Sequence, residues 1–74
     1  MRVIINNKEI GKNIKTLREN NNVSIEDLSL LAGIAKNTLM NYELGNKQIT
    51  IDDLILICNH FNVTIDSMVS YQII

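Results

Sequence analysis

Three six-residue segments, VSIEDL (23–28), ITIDDL (49–54) and VTIDSM (63–68), share one design and constrain this 74-residue chain more than any other feature. Each places a hydroxyl residue, Ser24, Thr50 or Thr64, immediately before an apolar residue and an acid. A side-chain oxygen at that point accepts a hydrogen bond from an otherwise orphaned amide of a first helical turn. Asp27 and Asp53 stand three residues beyond their caps, where a carboxylate can reach back to the cap amide. Acids in a first turn also oppose the positive end of the helix dipole. The apolar residue before each cap, Val23, Ile49 or Val63, is spaced to pack on Leu28, Leu54 or Met68 as a hydrophobic staple. The copies are unevenly spaced, so they mark three helix starts rather than a tandem repeat.

Five helices follow from this reading. The first is predicted over about 7–20, with Ile10, Ile14 and Leu17 on one stripe, and the asparagines at 20–22 end it because Asn tolerates left-handed backbone. The second covers about 25–31 and stops before Gly33. The third covers about 35–43, with Leu39 and Tyr42 inward and Gly45 as its stop. The fourth covers about 51–61, with Leu54, Ile55, Ile57, Cys58 and Phe61 largely buried and Asn62 ending it. The fifth is short, about 65–69. Connections of a few residues make this a compact all-α domain. The ends differ: Val3-Ile4-Ile5 is β-branched, and residues 69–73 alternate apolar and polar in a strand pattern. These ends could pair with each other, pair across a dimer, or fray.

The length fits one domain, 1–74, and a domain this small is marginal by itself, so association with a second copy would help it. No apolar run spans a bilayer, and the start, MRVIINNKEIGK, lacks the apolar centre of a signal peptide. The single cysteine, Cys58, excludes an internal disulfide and fits a cytoplasmic setting and a small core position. His60 is the only histidine, so no metal cluster and no cofactor is expected. No Ser-His-Asp arrangement, phosphate-binding glycine loop or carboxylate pair is present, and an enzyme is not expected.

Net charge is −1, against the basic balance usual for a nucleic-acid binder. Its distribution is more informative. Residues 1–47 carry all seven bases against five acids, a net of +2, while 48–74 carry three aspartates and no base, a net of −3. A basic front and an acidic, apolar back suggest two different partners.

The segment GIAKNTLMNYELG (33–45) is a polar helix between two glycines. Short helix, glycine turn, short helix is the helix-turn-helix arrangement, which lays its second helix in the DNA major groove; here the unit is about 24–43. A 100° step per residue puts Lys36, Asn37, Met40 and Asn41 on one face and turns Leu39 and Tyr42 into the core. Lysine donates to guanine O6 and N7, asparagine pairs with adenine N6 and N7, and Met40 could touch a thymine methyl. Periodicity alone equally allows the solvated face of an ordinary bundle.

From IGKNIKTLREN through VSIEDLSLLAGIAKNTLMNYELGNKQITIDDLILICNHFNVTIDSM, about residues 10–69, the chain resembles the Cro/repressor-type (XRE-like) helix-turn-helix family. Leu28, Ser29 and Gly33, then Leu39, Tyr42, Glu43 and Gly45, then Asn62 to Asp66 carry the resemblance. It implies a five-helix domain that binds palindromic double-stranded DNA as a homodimer and regulates transcription, commonly as a repressor. It assigns base reading to Lys36, Asn37 and Asn41, phosphate contact to Asn46 and Lys47, and a structural ion pair to Arg18 and Glu43. Thr38, on the same helix, is expected to contact phosphate as well.

Two departures bear on affinity. The family usually begins its second helix with a phosphate-binding Gln, where this chain has Ile25, and caps its third with Ser or Thr, where this chain has Ala35. Glu26 and Asp27 add local repulsion, and the phosphate contribution usually dominates DNA affinity. The rival reading is therefore a protein-interaction module that kept the fold and lost strong DNA binding. Ile51, Ile55, Ile65, Val69, Tyr71, Ile73 and Ile74 exceed what one small core absorbs. Ile65, Val69, Tyr71 and Ile73 are the expected dimer interface. Since the motif-bearing region is nearly the whole chain, no ligand-sensing domain is expected, and control would come from concentration, a regulatory protein partner or proteolysis.

Overall fold

The computed structural model describes residues 3–69 and 71–73; Ile74 lies outside them, as do the side chains of residues 3–5 and 71–73. Strand β1 (Val3–Ile5) leads into α1 (Asn7–Asn20), α2 (Ile25–Ala32), α3 (Lys36–Leu44), α4 (Ile51–Phe61) and α5 (Ile65–Met68), and β2 (Tyr71–Ile73) follows. The two strands pair with each other, antiparallel, with Val3 opposite Ile73 and Ile5 opposite Tyr71. Of the alternatives open to the ends, pairing within the chain is the one realised, over a segment shorter than the alternating pattern suggested.

The three cap hydroxyls do what their positions require. Ser24, Thr50 and Thr64 each accept from the amide three residues on, at 3.0, 3.1 and 3.3 Å. A fourth cap was not anticipated: the Asn6 side chain accepts from the amides of Lys8 and Glu9 at the start of α1. At the other ends, Gly33, Gly45 and Asn62 adopt left-handed backbone, at φ 71°, 75° and 57°. Their amides satisfy trailing carbonyls. The sequence-based bounds therefore move by a residue at α2, α3 and α5.

Ile10, Ile14, Leu28, Ala32, Ile34, Leu39, Tyr42, Leu54, Ile57, Cys58 and Met68 form one core, with Leu17, Val23, Ile25, Ile49, Phe61, Val63 and Val69 packed against its edge. Burial pushes the Cys58 thiol above its usual range, as a core position demands. Ile55 corrects an expectation: it is 38% exposed, on the outer side of α4. An eleven-residue helix packed on one side turns about half of its residues outward, and Ile51, Ile55 and Leu56 lie there.

Asp53 does not close the anticipated capping box. Its carboxylate accepts the Tyr42 hydroxyl at 2.5 Å, tying the middle of α3 to the start of α4. Burial first, then this bond, raises the Tyr42 phenol above its ordinary value of 10.0. A group with a raised folded pKa stabilises fully below its unfolded pKa and stops doing so as pH rises through the folded one. The contribution is thus present at neutral pH and lost above about pH 10. Tyr42→Phe should cost about 1–2 kcal/mol at pH 7. Urea titrations repeated at rising pH should show the wild-type advantage over the variant shrinking above pH ~10; a pH-independent difference would refute this account.

Candidate nucleic-acid interface

Helices α2 and α3 are joined by a turn whose left-handed residue is Gly33, where an added Cβ would meet nothing within 4 Å. The Ser29 hydroxyl donates to the Ile34 carbonyl at 2.5 Å, and the amides of Gly33 and Ile34 both donate to the Ser29 carbonyl. A small polar residue at 29 thus fixes the angle between the helices, and buried Ile34 anchors the turn in the core.

On α3, Leu39 and Tyr42 are buried, whereas Lys36, Asn37, Met40 and Asn41 are exposed. The structure brings these four together along one face, with Thr38 half-buried at its margin. Leu44 joins them: at 100° per residue it falls between Lys36 and Asn41, and it is 64% exposed. Its apolar side chain gives no sign in the sequence that it lies on the polar face. An exposed apolar residue on a hydrogen-bonding face can contact thymine methyl groups. Ala35 caps α3 without a side-chain bond.

Asn46 and Lys47 follow the Gly45 turn and are exposed. Lys47 Nζ lies 6.0 Å from the centre of the Tyr42 ring, at the outer limit for a cation–π contact. The Asn46 amide donates to the Asn41 carbonyl at 3.0 Å, so the loop leaves α3 in a defined direction.

Arg18 lines one shallow depression with Met40, Glu43 and Leu44, and an ion pair holds it there. Its guanidinium donates to both Glu43 oxygens, Nε to Oε2 at 2.7 Å and an Nη to Oε1 at 3.0 Å, and its other Nη donates to the Val23 carbonyl at 2.9 Å. This fork joins α1, the entry to α2 and the end of α3. The bond to Glu43 raises the guanidinium's already high pKa in spite of burial. Ile25 has no hydrogen-bonding group to offer phosphate at the start of α2, and it packs against the core edge instead. Glu26 and Asp27 are exposed there, and the Glu26 carboxylate lies 2.6 Å from Lys36 Nζ. That pair was not anticipated, because the two residues are ten apart and meet only through the turn.

Two short helices fixed by a left-handed glycine turn, the second presenting a polar face over a buried one, define a helix-turn-helix domain. The family pattern described as a helix-turn-helix domain matches residues 11–70. The chain belongs to that family of DNA-binding regulators, of the XRE type, which is not a family of enzymes. Antitoxin PezA from Streptococcus pneumoniae serotype 4 (strain ATCC BAA-334 / TIGR4) is 36% identical over 55 residues, 74% of this chain and 35% of that protein. The chain thus spans about a third of the length of that relative. SinR, the master regulator for biofilm formation, solved in complex with DNA, superposes with a TM-score of 0.76 at 27% identity. That match covers 80% of this chain and 95% of the solved SinR chain. The restriction-modification controller protein C.AhdI from Aeromonas hydrophila superposes at 0.78 with 16% identity, covering 82% and 92% of the two chains, which speaks for the fold alone. No helix among the described residues is long and apolar enough to cross a membrane.

Proposed function

We propose that this chain is a cytoplasmic, sequence-specific DNA-binding domain of a transcriptional regulator that represses by binding a palindromic operator as a homodimer, with α3 in the major groove. The observation that carries the reading is the segregation of α3: Leu39 and Tyr42 are buried while Lys36, Asn37, Met40 and Asn41 form one exposed face. Lys36, Asn37, Met40 and Asn41 read bases; Thr38, Asn46 and Lys47 contact phosphate. SinR, a master regulator seen bound to DNA, supports both the partner class and a regulatory role.

The dimer uses the α4–α5 side and the tail. Ile51 and Ile65 are exposed around an apolar groove of about 280 Å³ that Ile49, Leu54 and Val69 also line. Ile65, Val69, Tyr71 and Ile73 form the contact, which would set two recognition helices about one DNA turn, ~34 Å, apart.

Selection from a random duplex pool at low salt tests the whole reading. A palindromic product whose affinity falls steeply with salt is the expected result, and its half-site spacing reports the dimer. On that product, Asn41→Ala should weaken binding by about 1–3 kcal/mol and relax preference at one base position. Lys47→Ala should weaken all sequences alike and lower the salt slope by about one. No enrichment would favour the second reading, a protein-interaction module. The uncapped start of α3 and the core-packed Ile25, which leave two customary phosphate anchors unfilled, motivate that alternative.

A further inference from the structure

Lys36 is the only cation on α3, and it is not free. Its Nζ lies 2.6 Å from Glu26 Oε1, with the two side chains 50% and 59% exposed. Exposed pairs of this kind contribute almost nothing to folding. The fold does not need Glu26 for a cap either, because Ser24 caps α2. Glu26 does stand in the first turn of α2, where a carboxylate opposes the helix dipole as Asp27 does beside it, but that task does not require it to reach Lys36. It does hold the one charge that α3 can offer to DNA, and it adds a negative charge of its own beside Asp27 where phosphate approaches.

We infer that Glu26 sets the strength of DNA binding by acting as an internal counter-ion: its carboxylate holds Lys36, and DNA must displace it before the ammonium can reach a base or phosphate. This rests on the reading of α3 as the DNA-contacting helix. In the free protein the Lys36–Glu26 pair is neutral, so the exposed face of α3 approaches DNA without net charge. Binding then exchanges one ion pair for another rather than releasing a full complement of counterions. The carboxyl, which Lys36 already draws below the usual carboxylate range, stays ionised at neutral pH, so the restraint persists there. The device restrains non-specific binding above all. Contacts to phosphate alone cannot repay the displaced partner, whereas a site that also satisfies Asn37 and Asn41 can.

The test is a double-mutant cycle of Glu26→Gln and Lys36→Ala on the full chain. Binding to a labelled mixed-sequence duplex two turns long is followed by fluorescence anisotropy between about 50 and 200 mM salt. Glutamine keeps the length and helix preference of the side chain and removes its charge. Glu26→Gln should tighten binding and steepen the salt slope by about 0.9, which makes the gain about 3.5 times larger at the low end of that range than at the high end. In the Lys36→Ala background the same change should lose most of its effect, since no ammonium is left to release. A gain that survives undiminished there would show plain repulsion of phosphate by Glu26 and overturn the counter-ion role; so would an unchanged slope in Glu26→Gln. Lys47→Ala and Lys36→Ala separate this from the parent reading. If neither weakens binding, the α3 face does not meet DNA and the functional reading falls. If they do and Glu26→Gln changes nothing, only this inference falls.

Discussion

Gly11→Ala should lower the melting temperature by roughly 10 °C or more, although alanine is the better helix former by about 1 kcal/mol. A Cβ on Gly11 would lie 2.1 Å from the Tyr42 carbonyl oxygen and 2.8 Å from that of Glu43. Both are backbone atoms of α3, so no side chain can swing aside, and α1 must move away from α3. Overpacking of this kind costs about 1–3 kcal/mol, more where nothing yields. That exceeds the propensity gain in a domain whose whole stability is on the order of 4–11 kcal/mol. Gly33→Ala is the contrasting case. Its Cβ meets open space, and the cost is the left-handed backbone alone, about 1–2 kcal/mol. Thermal unfolding of both variants decides the point. A Gly11→Ala protein as stable as wild type would mean that α1 and α3 are not in contact as described.

The contrast also shows what a sequence can announce. Helix starts were legible because capping is local chemistry: Ser24, Thr50 and Thr64 reach amides three residues away whatever else the chain does. Helix ends at Gly33, Gly45 and Asn62 were legible for the same reason. Asn6 could have been read too, since Asn followed three residues later by Glu9 is a capping pattern. Gly11 could not be read as a contact. A glycine inside a helical stretch suggests a close approach, and nothing local says to which partner. Asp53 shows local chemistry losing to tertiary contact, as its carboxylate goes to the Tyr42 hydroxyl rather than back to the cap.

The α3 face was legible to the extent that periodicity separates Leu39 and Tyr42 from the residues opposite. What lies beyond α3 was not. The Lys36–Glu26 pair depends on the angle of the turn, and the exposure of Leu30, at 83%, Leu31 and Leu44 depends on which side of each helix the neighbours leave bare. The α2 segment SLLA is apolar enough to suggest burial throughout, yet an eight-residue helix packed on one side buries only Leu28 and Ala32.

Arg18→Ala should be the most damaging loss of a polar group, about 3 kcal/mol, although arginine stands on the rim of the core. The reason is what it leaves behind. The Glu43 side chain is 7% exposed and that of Arg18 13%, so the carboxylate would be left desolvated without a partner and the Val23 carbonyl would lose its donor. Removing one member of such a pair costs far more than the pair contributes against an apolar replacement of similar volume. Arg18→Met combined with Glu43→Leu should therefore recover most of the loss, and urea unfolding of the two single variants and the double one should be strongly non-additive. Additive losses would show that packing of the two side chains, rather than their charges, joins α1 to α3. DNA binding supplies the second arm. The Arg18 guanidinium spends three of its five N–H groups on Glu43 and Val23, and the side chain is only 13% exposed, so the refolded double variant should keep the wild-type salt slope; a slope shallower by about one would place Arg18 on the DNA backbone instead.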